Sequence, residues 1–421
     1  MKLEGIRVLD LGLFLPGPQV SQLMADHGAE VIKLEPPGEG DPGRHIGLGE
    51  NGHCVFFRNL NRGKKSVSLD LKTPEGLEAV LRIAEAMDVF IEAFRPGVAQ
   101  RLGIGYEAIR ARNPRIIYCS ISAFGQTGPY SRIPAHDLAV EAYAGITSVS
   151  LGMDDQPTMP PVPIADFAAA SMGLAGILMA LYRREKTGEG DCLDISMHDS
   201  ALAWLPNVTG PVFVEKRNPV PKHERGWGGA AFYRIYRTKD DRHVVLGAQE
   251  IKFARSLLTE WGRPELVELC EQGPGPHQVP VADFLQSVFI TKTQAEWVEW
   301  FSTRDIGFAP VRTLREAFDD PHTNARRMHL VDELGQEHVG LPIKFAAEPG
   351  RPNFALPRLG EHTRAVSRSG RCAARRGRGF AAATVPEMAC LAATAVARTI
   401  NQAHFHRVVA ILRSSINLLP T

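Results

Sequence analysis

Short apolar segments alternate with amphipathic ones along the first 125 residues. The pattern predicts strands at 6–11, 29–34, 88–92 and 115–121. It predicts helices at 19–27, 73–87 and 106–113, and a turn at Leu15-Pro16-Gly17-Pro18. Strands that alternate with helices in this way favour a parallel sheet covered by helices on both faces. Ligands of such sheets bind at the carboxyl ends of the strands, so the loops there are candidates for a functional site.

The pattern changes after residue 224. Two apolar segments, 232–237 and 243–247, flank a polar turn and are typical of a hairpin, and helices are predicted at 252–261 and 293–303. We therefore divide the chain into a large α/β domain (1–224), a smaller domain (225–326), a return to the large domain (327–363) and a tail (364–421).

The longest apolar run covers 164–182. It contains Asp166, a serine and several alanines and glycines, which favours a buried helix over a membrane span.

Composition narrows the class of protein. Hydrophobic residues make up 44% and charged residues 23%, which is ordinary for a soluble globular protein, and the net charge of +1 gives no reason to expect nucleic acid or a membrane surface as a partner. The six cysteines show no CxxC pair and no metal-ligand spacing, so no metal is expected. The chain opens directly into a strand without a signal-peptide pattern, and a reduced, cytoplasmic location is predicted.

The tail differs from the rest of the chain. Residues 364–421 contain nine Arg and one Glu, with no Lys or Asp. The abrupt shift favours an out-of-frame translation of GC-rich coding sequence. Two alternatives stay open: a disordered basic tail that binds an acidic partner, and an added helical segment in which 408–412 is apolar enough to pack. No function is assigned to the tail.

Two titratable residues stand out thirty positions apart, His136 and Asp166, each just ahead of an apolar helical run. Together they could act as a pair of bases on the two faces of a bound carbon acid, since histidine titrates near neutral pH. Simpler structural roles compete with this one. Asp166 suits the N-cap of a helix, and His136 could be a helix-start histidine satisfied by Asp137 or by backbone. No GxGxxG follows the first strand, which argues against a nicotinamide enzyme.

Eight short motifs, in order from Gly5 to Thr363, resemble those of the family III CoA-transferases. That family includes formyl-CoA transferase, carnitine-CoA transferase and α-methylacyl-CoA racemase. The motifs are GIRVLD (5–10), GAEVIKLEPP (28–37), LNRGKKS (60–66), LDLK (69–72), FRPG (94–97), GQTGPY (125–130), REKTGEG (184–190) and PRLGEHT (357–363).

The resemblance implies a Rossmann-like large domain with a parallel sheet, a smaller α+β domain and an interlocked homodimer. The substrate would be an acyl-CoA thioester, with a carboxylic acid as a second substrate in the transferase branch. Coenzyme A would thus enter as part of the substrate, and no permanently bound cofactor is expected.

The resemblance also implies a CoA site. Lys72, Arg95 and Arg101 would contact phosphates, because CoA is a polyanion that needs cationic side chains. The segment Leu69, Asp70 and Leu71 would line the nucleotide pocket. The remaining predicted CoA-binding residues are Phe94, Ala135 and Asp137. Without the resemblance, Lys72 and Arg95 read as solvated surface charges.

Two positions depart from the family pattern. Relatives often carry an arginine where this chain has Pro36, so one nucleotide contact is missing, and Arg44 could replace it. Relatives tend to carry glycine where this chain has Ala165, whose methyl group could crowd the thioester.

By the same resemblance, Asp166 is the family's essential aspartate. In the transferase branch it attacks the thioester and becomes a mixed anhydride. In the racemase branch it moves the α-proton, and its own backbone N–H could stabilise the enolate. His136 followed by Asp137 resembles the racemase branch, since transferases carry an aromatic residue there, and Glu250 matches the glutamate that supports the racemase histidine.

Three functions are therefore carried forward. The site residues favour a 2-methylacyl-CoA racemase that uses His136, Asp166 and Glu250. The prevalence of transferases in the family favours a CoA-transferase that acts through Asp166 alone. A catalytically idle CoA-binding protein is the third.

Overall fold

The structure is a computed structural model that describes residues 1–50, 52–152 and 154–367. Its strands are β1 (Arg7–Asp10), β2 (Glu30–Glu35), β3 (Gly49–Glu50), β4 (His53–Cys54), β5 (Lys65–Ser68), β6 (Val89–Glu92), β7 (Ile117–Ser122), β8 (Asp191–Ser196), β9 (Tyr233–Arg237), β10 (His243–Gly247), β11 (Phe308–Pro310), β12 (His329–Val331) and β13 (Glu337–Val339).

The α-helices among these residues are α1 (Pro16–Asp26), α2 (Val55–Asn61), α3 (Pro74–Ala84), α4 (Val98–Arg101), α5 (Tyr106–Arg112), α6 (Asp137–Tyr143), α7 (Ile146–Val149), α8 (Ile164–Thr187), α9 (Met197–Ala203), α10 (Gly210–Phe213), α11 (Ile251–Glu260), α12 (Val267–Glu271), α13 (Val279–Phe289), α14 (Gln294–Phe301), α15 (Leu314–Asp319) and α16 (Pro321–Ala325).

The centre of the fold is a six-stranded sheet in the order β5-β2-β1-β6-β7-β8, and every neighbouring pair is parallel. Successive side chains enter opposite faces of the sheet, where two cores lie. Val8 and Ile91 belong to the core beneath α1 and α8, whereas Leu9 and Phe90 belong to the core beneath α3 and α5. The near-continuous apolar strands of the sequence are therefore buried on both faces, and the predicted parallel sheet is confirmed.

The turn predicted at 15–18 is wrong, because α1 begins at Pro16. Prolines are tolerated there because the first-turn N–H groups of a helix lack intrahelical partners. The helix start also packs closely on the loop before it: a Cβ atom built on Gly12 would lie 2.9 Å from the Cα atom of Gly17. Glycine at both positions lets the β1–α1 loop fold tightly onto the helix.

Two strands of the central sheet were not predicted, β5 and β8. β5 has the sequence KSVS, which carries only one apolar residue. Its pairing with β2 is reinforced by the buried Ser66 hydroxyl, which donates to Glu35 at 2.6 Å. Such a strand is specified by its neighbour and not by its own apolar pattern.

The helix α8 is long and apolar enough to cross a membrane by length and composition alone. Here it is a core helix, as predicted, because Ala169, Gly173 and Ile177 are buried beside the sheet. Gly173 also allows α8 to pack closely on α1, since a Cβ atom there would lie 3.3 Å from Val20.

The predicted hairpin is confirmed as β9 and β10, which pair antiparallel, and β11 extends it to three strands. Its helices close over a separate apolar core that contains Leu257, Phe289 and Trp297. The domain limits at 224 and 326 stay predictions. Nearly all of the atypical tail, from 368 onward, lies outside the described residues.

Candidate active site

The loops at the carboxyl ends of β1, β6 and β7 surround a cavity of about 910 Å³, hereafter the main cavity. This is the edge of the sheet at which parallel folds bind ligands. The lining residues are Leu13, Phe14, Pro16, Ala93, Phe94, Arg95, Pro96, Ile121, Ser122, Ala123, Ser131, Ile133, Pro134, Ala135, His136, Leu138, Ala139, Ala142, Asp166 and Met197. His136 and Asp166, thirty residues apart in sequence, thus line the same space.

His136 is the N-cap residue of α6. Its side chain makes no capping hydrogen bond, so the interpretation of His136 as a satisfied helix-start residue has no support in the structure. The imidazole meets the edge of the Phe14 ring, with 5.9 Å between ring centroids and an interplanar angle of 83°. The ring nitrogens are consequently available to a ligand in the main cavity.

Asp166 lies in the first turn of α8, which begins at Ile164 with Pro163 as its N-cap residue. The N-cap role considered for Asp166 is therefore wrong. The Asp166 carboxyl group is mostly shielded from water but lines the main cavity. It is free to meet a bound substrate.

Carboxylates of α6 cap the start of α8 in place of a side chain from α8 itself. The N–H of Ile164 donates to Glu141 Oε1 at 2.9 Å, and the N–H of Asp166 donates to Asp137 Oδ1 at 3.0 Å. The helix α6, which follows directly after its N-cap residue His136, therefore fixes the backbone of Asp166.

This capping changes one prediction. Because the Asp166 N–H is already bonded to Asp137, it is not free to stabilise an enolate as the sequence suggested. The N–H of Asp137 has no hydrogen-bond partner among the residues that the structure describes. It lies between the cavity-lining residues His136 and Leu138 and is the better candidate for that role.

Burial, and then the negative charges of Asp137 and Glu141, raise the pKa of Asp166 to about 7. Burial also raises the pKa of Glu141, whose side chain is fully shielded from water. A carboxyl group that titrates near neutrality can both accept and return a proton at physiological pH.

We expect Glu141→Ala to lower the free energy of unfolding by about 1–3 kcal/mol, because the buried N–H of Ile164 loses its acceptor. Glu141→Gln retains an acceptor oxygen and should recover most of that loss. Urea titrations of the two variants check the prediction, and equal stability of Ala and Gln at this position would contradict the capping role.

A smaller cavity of about 180 Å³ adjoins the main one. Five of the predicted CoA-binding residues line it, namely Leu69, Asp70, Leu71, Lys72 and Phe94. Leu13 and Phe94 line both cavities, so the two spaces are neighbours. A long ligand could place one end in each.

The other predicted CoA contacts are distributed differently. Arg95 and Ala135 line the main cavity, whereas Arg101 is exposed at the end of α4 and lines neither cavity. Asp137 also lines neither cavity, because its carboxylate faces the start of α8.

The structure changes the interpretation of both departures from the family pattern. Pro36 lines the smaller cavity, but Arg44 does not replace the missing arginine. The Arg44 guanidinium forms a two-pronged ion pair with Glu35 (Nε–Oε2 2.7 Å, Nη2–Oε1 2.8 Å) and donates to the Pro357 carbonyl. Ala165 is fully buried in the core beneath α8 and does not line the main cavity, so its methyl group does not crowd a thioester there.

Glu250 is the N-cap residue of α11 and is exposed. It lines neither cavity, so the chain does not bring it to the space that His136 and Asp166 share. Its support for His136 stays a prediction. No group of three or more His, Cys, Asp or Glu side chains within the described ranges could hold a metal ion.

Glu141 and Phe14 are features that the sequence analysis missed. The four-residue spacing from Asp137 to Glu141 places both carboxylates on one side of α6, and that spacing could have identified the pair. Phe14 gave no comparable sign in the sequence.

A family model described as CoA-transferase family III matches residues 3–363. Similar proteins include the succinyl-CoA--D-citramalate CoA-transferase of Chloroflexus aurantiacus, 34% identical over 86% of this chain and 92% of that protein, and the human alpha-methylacyl-CoA racemase, 32% identical over 87% and 92%. Two solved structures are also similar. A CAIB/BAIF family protein from Brucella suis is 28% identical with a TM-score of 0.75, covering 87% of this chain and 99% of that one. Rv3272 of Mycobacterium tuberculosis is 30% identical with a TM-score of 0.74, covering 86% and 98%.

Proposed function

Because the chain belongs to CoA-transferase family III, we propose that it is an acyl-CoA racemase or epimerase that exchanges the α-proton of a 2-methylacyl-CoA. The observation that carries the proposal is the presence of His136 and Asp166 in one cavity, with no other carboxylate or imidazole among its lining residues. The human alpha-methylacyl-CoA racemase is among the relatives, although the CoA-transferase of Chloroflexus aurantiacus is slightly more similar, at 34% identity against 32%.

The proposed reaction moves one proton in and one proton out. The Asp166 carboxylate takes the α-proton from one face of the thioester's α-carbon, leaving an enolate. A protonated His136 then delivers a proton to the opposite face, which inverts the configuration. The N–H of Asp137 would donate to the enolate oxygen, where negative charge develops. The reverse reaction exchanges the roles of the two residues.

The two cavities suggest how the substrate is held. The nucleotide part of CoA would occupy the smaller cavity at Leu69 to Lys72, and Arg95 would meet a phosphate at the boundary. The acyl group would then reach into the apolar main cavity beside His136 and Asp166.

A CoA-transferase is the second candidate. It is supported by the names of several relatives and by the exposure of the Asp166 carboxyl group to the main cavity. In that reaction a carboxylate oxygen of Asp166 forms a bond to the acyl carbon as the carbon–sulfur bond breaks, and CoA leaves as a thiolate.

One experiment separates the two candidates. The protein is incubated with a panel of acyl-CoA thioesters in deuterated water, with and without acceptor carboxylic acids. The molecular masses of the products are then measured by mass spectrometry. Racemisation adds one deuterium at the α-carbon without an acceptor, whereas transfer gives a new acyl-CoA only when an acceptor is present. Transfer without exchange would overturn the racemase proposal in favour of the transferase, and the absence of both would leave the CoA-binding alternative.

The pH dependence provides a more specific prediction. Asp166 works as a base only when ionised, so kcat/KM should rise with pH through about 7. Burial is the main reason for the raised pKa of Asp166, and the negative charge of Asp137 comes second. Asp137→Asn removes that charge but keeps an acceptor oxygen for the Asp166 N–H. We expect the rising limb of the pH profile to move to lower pH in this variant, and a limb that stays in place or moves upward would contradict the assignment.

The proposal includes the homodimer predicted from the sequence. It is supported by an apolar strip on the outer face of α8, where Met179 and Tyr182 are 66% and 68% exposed. Sedimentation velocity checks this point, and a monomer at micromolar concentration would contradict it.

The four cysteines of the described chain form no disulfide, which supports the proposed cytoplasmic location. Recovery of the protein in a secreted fraction would contradict that location.

A further inference from the structure

Phe14 holds a backbone conformation that side chains of its size seldom adopt. Its φ angle is +60°, in the left-handed region, although it is neither glycine nor a short polar residue. Such a conformation is energetically unfavourable for a residue with a Cβ atom and persists only where the surroundings determine it. Residues of this kind concentrate at functional sites, so the cause of the strain is informative.

A buried network of charges fixes the loop that carries Phe14. The Phe14 N–H donates to Asp41 Oδ1 at 3.3 Å, and Asp41 pairs with Lys33 at 2.7 Å, both side chains being fully buried. The Lys33 ammonium group also donates to the Gly12 carbonyl at 2.8 Å, and the Gly12 N–H donates to Asp10 at 2.7 Å. The loop is therefore held at Gly12 and at Phe14 itself by groups whose side chains are fully buried.

The strained backbone directs the Phe14 ring to the reacting groups. The ring lines the main cavity and presents an edge-to-face contact to the His136 imidazole. Leu13, the preceding residue, lines both cavities, so Phe14 lies where the smaller cavity opens into the main one. If His136 and Asp166 exchange the α-proton as proposed, a substituent on the α-carbon lies beside this ring.

We infer that Phe14 is a specificity-determining residue whose clamped ring limits the size of the substituent on the α-carbon of the bound acyl group. The inference rests on the proposed function, since it takes His136 to mark the position of the α-carbon. It assigns a role to the buried network of Asp10, Lys33 and Asp41, which holds the backbone that carries the ring. A hydrogen or methyl substituent fits beside the ring, and an ethyl or larger substituent does not.

The test measures binding as well as turnover, so that it does not depend on the proposed reaction. Dissociation constants are determined by calorimetry for CoA and for acyl-CoA thioesters with an α-methyl or an α-ethyl group. In the wild type we expect the α-ethyl compound to bind about tenfold more weakly than the α-methyl one, the effect of one misplaced methylene group. In Phe14→Ala the two should bind within about twofold of each other, with CoA affinity unchanged.

Two further variants distinguish the effect of the Phe14 ring from the effect of its strained backbone. Phe14→Gly also removes the ring but accepts a positive φ, so it should show the selectivity of Phe14→Ala with a higher melting temperature. Leu138→Ala enlarges the same cavity away from the clamped loop and should keep the selectivity of the wild type. If Phe14→Ala unfolds, Phe14→Gly and Phe14→Leu carry the same comparison.

The inference is overturned if the ratio of the two dissociation constants is the same in the folded Phe14 variants as in the wild type. It is equally overturned if Leu138→Ala relaxes the ratio as much as Phe14→Ala does. Failure of the proposed function looks different, because it abolishes deuterium exchange with every thioester while the binding ratio still responds to Phe14.

Discussion

Replacement of Asp166 by asparagine should abolish turnover and, at pH 8, stabilise the fold. Both candidate reactions need the ionised carboxylate, as base or as nucleophile, and we expect kcat/KM to fall by at least about 10³-fold. CoA binding should persist, because the residues around the smaller cavity are untouched.

The stability effect follows from the raised pKa of Asp166. The pKa of an aspartate in the unfolded chain is about 3.9, whereas burial raises that of Asp166 to about 7 in the folded protein. Between these two values the folded state binds more protons than the unfolded state, so the free energy of unfolding falls as pH rises. At pH 8 most of this cost is present, and the difference between the two pKa values sets its upper limit, so removing the charge should raise the free energy of unfolding by up to about 4 kcal/mol.

Urea unfolding at pH 4 and pH 8, together with the exchange assay, checks both halves of the prediction. The gain in stability should be present at pH 8 and nearly absent at pH 4, below which the wild-type carboxyl group is protonated in both states. Asp199→Asn is a matched control, since Asp199 lies in the first turn of α9 with an exposed side chain. A purely structural aspartate would behave in the opposite way, with lower stability and retained activity.

The sequence predicts most of the central sheet because a strand that is buried on both faces consists of consecutive apolar residues. Val89, Phe90 and Ile91 are consecutive apolar residues that reach alternate cores, and this pattern is legible without the rest of the chain. β5 cannot be predicted in the same way, because its Ser66 stabilises the strand through a hydrogen bond to Glu35 of β2, which is distant in sequence.

The candidate site also has features that the local sequence predicts and features that depend on tertiary contacts. The motifs and the apolar run after Asp166 identify His136 and Asp166 as candidate site residues, and the structure brings both into one cavity. The bond from the Asp166 N–H to Asp137, and the left-handed backbone of Phe14, depend on tertiary contacts between segments far apart in the chain. No local pattern in the sequence predicts these contacts, so the sequence gives no sign that the Asp166 N–H is already bonded.

If the protein is a racemase, His136→Gln should reduce inversion at the α-carbon by about 10²–10⁴-fold, the usual contribution of one acid–base residue. Glutamine has a similar reach and can still donate a hydrogen bond, but it does not titrate. The step that should slow is the delivery of a proton to the α-carbon from the side of His136. The variant should therefore still release deuterium from one enantiomer faster than from the other, because Asp166 remains as a base on its own face.

His136→Tyr distinguishes the two candidate reactions most sharply. A transferase that acts through Asp166 alone should keep its activity within a few-fold, since an aromatic residue is expected at this position in the transferase branch. A racemase should lose the inversion of either enantiomer, because a phenol with its ordinary pKa of about 10 is a poor acid–base group at pH 7. His198→Gln is the matched control: this histidine pairs with Asp199 and does not line the main cavity. Retained inversion in His136→Tyr would remove His136 from the mechanism and leave Asp166 as the only residue of the pair that acts on the substrate.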